Sequence, residues 1–453
     1  MSPERTDLTS PMTSSSENRW IKRLVCLLIA VAPLHTLVRR INIDSVLLSG
    51  WRDILYIFVL GIWVISLSMD QYRFSLRLLI PAVLLFNLIG VAAILRAPSL
   101  LIGLVGFRDI IKYSLLAVLV YTICRKDPLF IPRITRWVFH VGILVSLAQF
   151  VFYARRLDYV LRLGTIPPTY RALGSVNIRR MEAFFGGAPS NLGIYIGVPL
   201  VIYLMLQQLG QRVPKWWHIG ALLLFAGMVM TLSFSAVITT GLVFAFFLLR
   251  RRGKTMLKIL ATLALLIVFT YLNVGFDKAI VGDQEATNFQ TYVSNIFLKA
   301  LFLKNLPLVM EDAGTFLFGH GLAHVGTKTF LDSDSASELM IVGSSDGGWL
   351  EFAVQVGVPM ALLMLLSIGL TSWHAFLSSR DLSIPMRVHV WGLLAALVIM
   401  LSSLHIVPWL RVGQDVNFWV VLGALAAVPD IALRNRLQPA PVQRNEPAAC
   451  RGY

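Results

Sequence analysis

Apolar stretches of about 15–20 residues recur along the whole chain, each near the length of helix that crosses a bilayer core. Short polar loops separate them, so the pattern points to a bundle of helices embedded in lipid. Composition agrees. Apolar residues make up 57% of the chain and charged residues only 14%, where soluble domains carry roughly half and a quarter. The fold class is therefore an all-α polytopic membrane protein.

Basic residues in the short loops set the expected topology, because Lys and Arg collect on the cytoplasmic side. Residues 1–19 are polar, Ser/Thr-rich and expected to be disordered. The apolar run 20–38 has no small-residue cleavage site after it and reads as a retained first span, held inside by Arg19, Lys22 and Arg23. Further runs lie at 54–69, 78–95, 110–123 and 137–153. The loops 70–77 and 125–136 carry Arg73, Arg77, Arg125, Lys126, Arg133 and Arg136 and read as cytoplasmic, which leaves 154–190 outside. The run 216–249 is too long for one helix rising about 1.5 Å per residue across about 30 Å. It is expected to split at TLSFSA, 231–236, with RRRGK at 250–254 as an inner anchor. A span at 256–273 then leads to the outer segment 274–347, and spans at 349–371, 388–409 and 417–433 complete about twelve. The large extracytoplasmic loop thus falls between the ninth and tenth. Residues 20–433 form a single membrane domain, and 434–453 a cytoplasmic tail that opens with Arg434 and Arg436. Both termini come out cytoplasmic.

The net charge of +16 resides mostly in these loops, so nucleic acid is not an expected partner. Cys26, Cys124 and Cys450 all fall outside the outer loops, and no disulfide is expected. Charged residues avoid the centres of the spans, apart from Arg108 and Lys112 near one end.

Two outer segments are exceptional. Segment 154–190 holds Arg155, Arg156, Arg162, Arg171, Arg179 and Arg180 against only Asp158 and Glu182. Outside positive charge runs against the topology rule. Phospholipid headgroups would account for it, and so would an anionic ligand, since Arg presents a rigid charged fork to phosphate oxygens. In segment 274–347, residues from Asn288 to Leu301 keep helical apolar spacing, as in a helix lying on the membrane face or lidding a cavity. GTFLFGHGLAHVG follows, a Gly-punctuated loop with His320 and His324. The glycines oppose the shared helix face that a metal pair would need, so no metal is expected. The acidic run 332–338 lacks calcium-loop spacing and reads as solvated loop. The segment ends at Asp346, which precedes Gly347, Gly348 and the pattern Trp349, Phe352, Val356. Asp346 is either the N-cap of that helix or a reactive carboxylate at the water–membrane boundary.

These features together resemble the O-antigen ligase and Wzy polysaccharide-polymerase superfamily of bacterial inner-membrane glycosyltransferases. The likeness covers most of the chain: about twelve spans, an Arg-rich outer loop near the middle, and a large outer loop late in the sequence. Family members often carry a His–Asn pair, then an aromatic–Leu pair, then a glycine at the start of the next span. DGGWLEFAVQVG matches that spacing with Trp349, Leu350 and Gly357, and Asp346 stands at the histidine position. RRMEAFFGGAPSNLGIY at 179–195 is similar to the Arg…Phe…Pro-x-Asn start of the sixth span. TLSFSA resembles a Thr-x-Ser-Arg turn with Phe234 in place of the arginine, and an Arg-x15-Gly pattern runs from Arg171 to Gly187.

The resemblance implies a GT-C-like architecture and transfer of a glycan from an undecaprenyl-diphosphate donor to an acceptor sugar hydroxyl on the periplasmic face. Absence of the ligase histidine turns the expectation toward a polymerase of lipid-linked repeat units, with ligation to a lipid or protein acceptor as the alternative. Arg179 and Arg180, with Arg171 third, are the expected diphosphate-binding residues, acting without metal or other cofactor. Asp346 is the candidate catalytic base, with Glu182 in reserve. Trp349, His320 and His324 are candidate sugar contacts, although an interfacial Trp is also a common membrane anchor. Expected partners are the lipid-linked oligosaccharide, the growing polysaccharide, membrane lipids, and a chain-length regulator with export machinery. The rival class is a transporter or flippase of lipid-linked sugars, which would bury charge within the spans.

Overall fold

The computed structural model describes residues 17–34, 46–69, 79–97, 100, 103–104, 106–107, 111–155, 170–173, 176–179, 181, 189–249, 312–321, 348–403 and 414–437. These residues form thirteen α-helices and one short β-hairpin. In order they are α1 (Glu17–Val31), α2 (Val46–Met69), α3 (Leu79–Leu95), α4 (Leu115–Lys126), α5 (Phe130–Arg155), strands β1 (Tyr170–Leu173) and β2 (Val176–Arg179), α6 (Pro189–Gln208), α7 (Lys215–Met230), α8 (Phe234–Leu249), α9 (Ala313–Phe318), α10 (Gly348–Val356), α11 (Val358–Ser378), α12 (Ile384–Ser403) and α13 (Gln414–Leu437).

Five of these helices are long and apolar enough to cross a membrane: α5, α6, α11, α12 and α13; α3 and α7 are shorter apolar helices. The outward faces show why. In α3, Leu84, Leu88, Val91 and Leu95 recur at helical spacing and are exposed, while Val83, Phe86, Gly90 and Ala93 are buried. A helix apolar on both faces packs on protein with one side and needs lipid on the other. In α7, Ile219, Leu222, Phe225 and Val229 face outward in the same way.

Helices α6 and α13 form the centre: 83% of each apolar length is buried, against 39% for α5 and α11. α6 packs on α12, α7, α8 and α5, and α13 packs on α4, α11 and α12. In lipid such contacts rest on close packing of small residues rather than on expulsion of water. Gly423 of α13 is the clearest case. A Cβ there would lie 2.3 Å from the backbone oxygen of Ala117 on α4, so any larger residue would push these two helices apart.

One end of the bundle collects the basic loops. Lys22 pairs with Asp127 at 2.7 Å, and Arg125 approaches Asp430 at 3.7 Å. Tyr121 donates to Asp430 at 2.6 Å, Arg434 donates to the carbonyl of Arg125 at 2.6 Å, and Arg436 pairs with Asp381. Arg387 donates to the carbonyls of Ser379, Arg380 and Leu382, satisfying groups freed at the end of α11. Residues Arg125, Arg434 and Arg436, assigned to one side by charge pattern, do meet at this end.

The sequence reading needs three corrections. The run 349–371 is not one helix: α10 ends at Val356 and α11 begins at Val358, with Gly357 at φ 89° between them. GTFLF is not loop but most of α9, whose N-cap Asp312 accepts from the backbone N–H of Thr315 at 2.8 Å. Segment 154–190 contains an antiparallel hairpin, register Tyr170↔Arg179 to Leu173↔Val176. The apolar run 216–249 divides at Thr231–Ser233, inside TLSFSA, where Leu232 turns the chain at φ 48°. The run 256–273, the amphipathic stretch from 288, the acidic run 332–338, Arg108, residues 1–16 and residues 438–453 with Cys450 lie outside the described residues. Cys26 and Cys124 are free and buried.

Candidate functional site

At the end of the bundle opposite the basic loops, four helix starts converge. Arg52 and Asp53 lie in the second turn of α2, Tyr113 in the 3₁₀ turn before α4, Tyr195 in the second turn of α6, and Asp415 and Asn417 at the start of α13. The guanidinium of Arg52 reaches Asp415 at 3.4 Å, both side chains being about nine-tenths buried. It also lies over the ring of Tyr113, 4.8 Å from the centroid, as a cation–π contact. The hydroxyl of Tyr113 donates to Asp53 at 3.1 Å, and Tyr56 meets the Tyr113 ring edge-on at 4.9 Å. Asn417 and Tyr195 are hydrogen-bonded, and Asp415 is close enough to act electrostatically on Tyr195. Asp415 also accepts from the N–H of Val416 at 2.8 Å, where a carboxylate suits the positive end of a helix.

A charge inside a membrane bundle is costly and marks a functional site by default. The pattern of apolar runs placed Arg52, Asp53 and Asp415 outside the spans at 54–69 and 417–433. The helices begin at Val46 and Gln414 instead, which draws both charges into the packed bundle. Arg52–Asp53 precede the run at 54–69 and Asp415 the run at 417–433, but nothing in the pattern pairs one with the other.

The Arg-rich segment reaches the same end. β1 holds Arg171 opposite Ile178, and β2 closes on Arg179 opposite Tyr170. Two residues further, Met181 is fully buried, and its N–H donates to the carbonyl of Met230 at the end of α7 at 2.9 Å. Thr231 follows, and a Cβ on Gly193 of α6 would lie 3.0 Å from its hydroxyl. Gly193 lies two residues before Tyr195 on α6, and Asn191, in the first turn of α6, is buried. Pro189 opens α6, a position where its missing N–H costs nothing. Arg180 and Glu182 lie outside the described residues.

The third part is the broken helix. α9 packs against α10 and α11. The N–H of His320 donates to the carbonyl of Val354 at 2.8 Å, in the last turn of α10. Gly319, at φ 71°, would place a Cβ 2.5 Å from the backbone of Gln355, and Gly357 would place one 2.3 Å from the oxygen of Leu317. Only glycine fits either position, since both need a positive φ and the facing chain leaves no room. α10 is held from behind by Phe352, whose ring meets Phe86 of α3 at 5.2 Å. Arg96, at the end of α3, covers α9 from the other side, 5.9 Å from the ring of Phe318. His320 is half-buried and uses its backbone here; His324 and Asp346 lie outside the described residues, and Trp349 lies in the first turn of α10. Among the described residues no group of three His, Cys, Asp or Glu side chains is arranged to hold a metal.

Apolar helices of membrane length around a central pair, with charges gathered at their ends, define a helical multi-pass membrane protein. Neither a protein-family model nor a curated protein matches the chain.

Proposed function

We propose that the protein is a membrane glycosyltransferase that polymerises undecaprenyl-diphosphate-linked oligosaccharide repeat units into a surface polysaccharide or exopolysaccharide. In this reading the chain crosses a bacterial inner membrane about twelve times in a GT-C-like arrangement. The basic end is cytoplasmic, both termini lie there, and the charged cluster faces the periplasm with segments 154–190 and 274–347. The observation that carries the reading is the Met181–Met230 bond. It fastens an arginine-rich segment to the end of the bundle where a buried charged cluster waits, although outer arginines run against the topology rule.

The acceptor hydroxyl oxygen attacks the anomeric carbon of the donor, and the bond from that carbon to the diphosphate oxygen breaks. The electron pair leaves with the undecaprenyl diphosphate, so negative charge grows on phosphate oxygens as the bond lengthens. Arg179 and Arg180, with Arg171, neutralise that charge as preorganised cations. Asp346, or Glu182 in its place, takes the proton of the attacking hydroxyl. Trp349, His320 and His324 line the sugar path.

A transporter of lipid-linked sugars is the second reading, favoured by the Arg52–Asp415 pair lying inside the bundle. Deleting the gene separates the two. A polymerase leaves single lipid-linked repeat units accumulating at the periplasmic face while polymer disappears; a transporter leaves them at the cytoplasmic face. Unchanged polymer would refute both.

A further inference from the structure

At the basic end of the bundle, α5 and α7 run side by side in the same direction. Three pairs show it: the ring of His140 meets that of Trp216 at 5.1 Å, a Cβ on Gly220 would lie 2.3 Å from Ile143, and Ser146 donates to the carbonyl of Leu223 at 3.1 Å. Phe139 stacks on Trp217 at 4.2 Å and closes the floor of the seam. Leu144, Leu147 and Val151 of α5 are exposed above it, and so are Ile219, Leu222 and Phe225 of α7. Arg136 stands four residues before His140 on the same face of α5. Arg212 stands four residues before Trp216, and Lys215 directly before it, so three cations gather at the basic end of the seam. We infer that this seam binds an anionic phospholipid, its headgroup phosphate held by Arg136, Arg212 and Lys215 and its acyl chains lying on the two apolar stripes. The inference goes beyond the polymerase reading and does not depend on it.

Three observations select this occupant. The first is unspent charge. Arg136, Arg212 and Lys215 are all exposed, and among the described residues none of them is in an ion pair. Asp127, Asp381 and Asp430 at this end are engaged by Lys22, Arg436 and Arg125. Guanidinium groups fit phosphate oxygens, and each added Lys or Arg strengthens attraction to anionic lipid. The second is the wall of the seam. Trp216 is half-exposed where charge gives way to the apolar stripes, the level at which an indole suits a headgroup boundary. Behind it, the Nε2 of His140 has no hydrogen-bond partner, so polar capacity is also left over here. The third is the exclusion of a second copy of the chain. Docking by its own matching face would set the same unpaired cations against one another, whereas a phospholipid matches both the charged end and the apolar length.

The test is native mass spectrometry of the full-length protein in detergent, titrated with phosphatidylglycerol as the anionic probe and phosphatidylcholine as the neutral one. The parent is expected to hold phosphatidylglycerol about ten-fold or more tightly than phosphatidylcholine. The triple variant Arg136→Gln, Arg212→Gln, Lys215→Gln is expected to lose that preference. A control removes equal charge from α1 and the end of α11, as Arg19→Gln, Arg23→Gln, Arg380→Gln, and is expected to keep it. Equal binding of the two lipids by the parent overturns the inference, and so does an equal loss in both triple variants, which makes the effect one of overall charge. Displacement of phosphatidylglycerol by millimolar inorganic phosphate would make this a site for the free anion and overturn the lipid assignment. A second measurement needs no variant. Phosphatidylglycerol carrying a photoreactive diazirine in its acyl chain is crosslinked to the parent and the adduct mapped by peptide sequencing. Adducts on α5 and α7 are expected, and adducts spread evenly over the lipid-facing helices overturn the inference.

Discussion

The backbone N–H of Met181 donates to the carbonyl of Met230 at 2.9 Å, and this bond ties the strand bearing Arg179 to the turn between α7 and α8. Thr231 continues that turn, its hydroxyl donating to Met228 at 2.6 Å and accepting from the N–H of Ser233 at 3.3 Å. A segment that reads in sequence as an outer loop is therefore fastened to the bundle at a defined height. The backbone of Arg179, two residues before that bond, is therefore held at this end of the bundle.

Replacing Arg179 or Arg180 with Ala should abolish polymer formation while membrane insertion stays normal. Lys at either position should restore it only in part, because an ammonium cannot make the paired contacts of a guanidinium with diphosphate. Polymer analysis by gel electrophoresis of a complemented deletion strain checks this; normal ladders from the double Ala variant would remove the segment from the mechanism.

Asp346→Asn separates capping from chemistry. Asn caps a helix about as well as Asp, yet it cannot take a proton. The variant should express normally, bind the lipid-linked donor, and polymerise roughly 10²–10⁴-fold more slowly. A rate close to that of the parent would leave Asp346 a helix cap.

Gly357→Ala should destabilise the protein by more than about 1 kcal/mol, since alanine is strained at a positive φ. Its Cβ would also meet the Leu317 oxygen at 2.3 Å, so α9 must leave the break between α10 and α11. Thermal unfolding in detergent, with protease sensitivity of segment 312–321, reads both effects.

The cap of α9 gives a pH dependence. Hydrogen bonds from the backbone N–H and then the hydroxyl of Thr315 hold the Asp312 carboxyl below the usual carboxylate range. A depressed folded value means the capping contribution is complete above the usual range and disappears as the pH falls through the lower one. Hydrogen exchange at the Thr315 amide should therefore be protected at neutral pH and lose protection only in strong acid. Asp312→Asn should remove the pH dependence of that protection while retaining a cap.

The class of fold was legible because lipid demands long apolar helices, and charged loops label one end; Arg125, Arg434 and Arg436, grouped by that rule, lie at one end of the bundle. The division at Thr231–Ser233 followed from length alone. The break at Gly357 was hidden, since the apolar pattern continues from Phe352 through Met360 and only the wedge of α9 shows why the helix stops. Arg52 and Asp415 were hidden for another reason. They are 363 positions apart, and a hydropathy pattern ends a span at the first charge without knowing that a partner from another helix neutralises it. Tyr195 and Asn417 carry no charge and sit within apolar runs, so nothing in the sequence separated them from packing residues.

The most direct test of the central claim is reconstitution. Purified protein in liposomes is given an undecaprenyl-diphosphate-linked repeat unit from its own host, and products are resolved by size. The account predicts a ladder of products longer than one repeat unit, with release of undecaprenyl diphosphate in step with each addition. Substrate that stays a single repeat unit, and instead moves from one leaflet to the other, would contradict it.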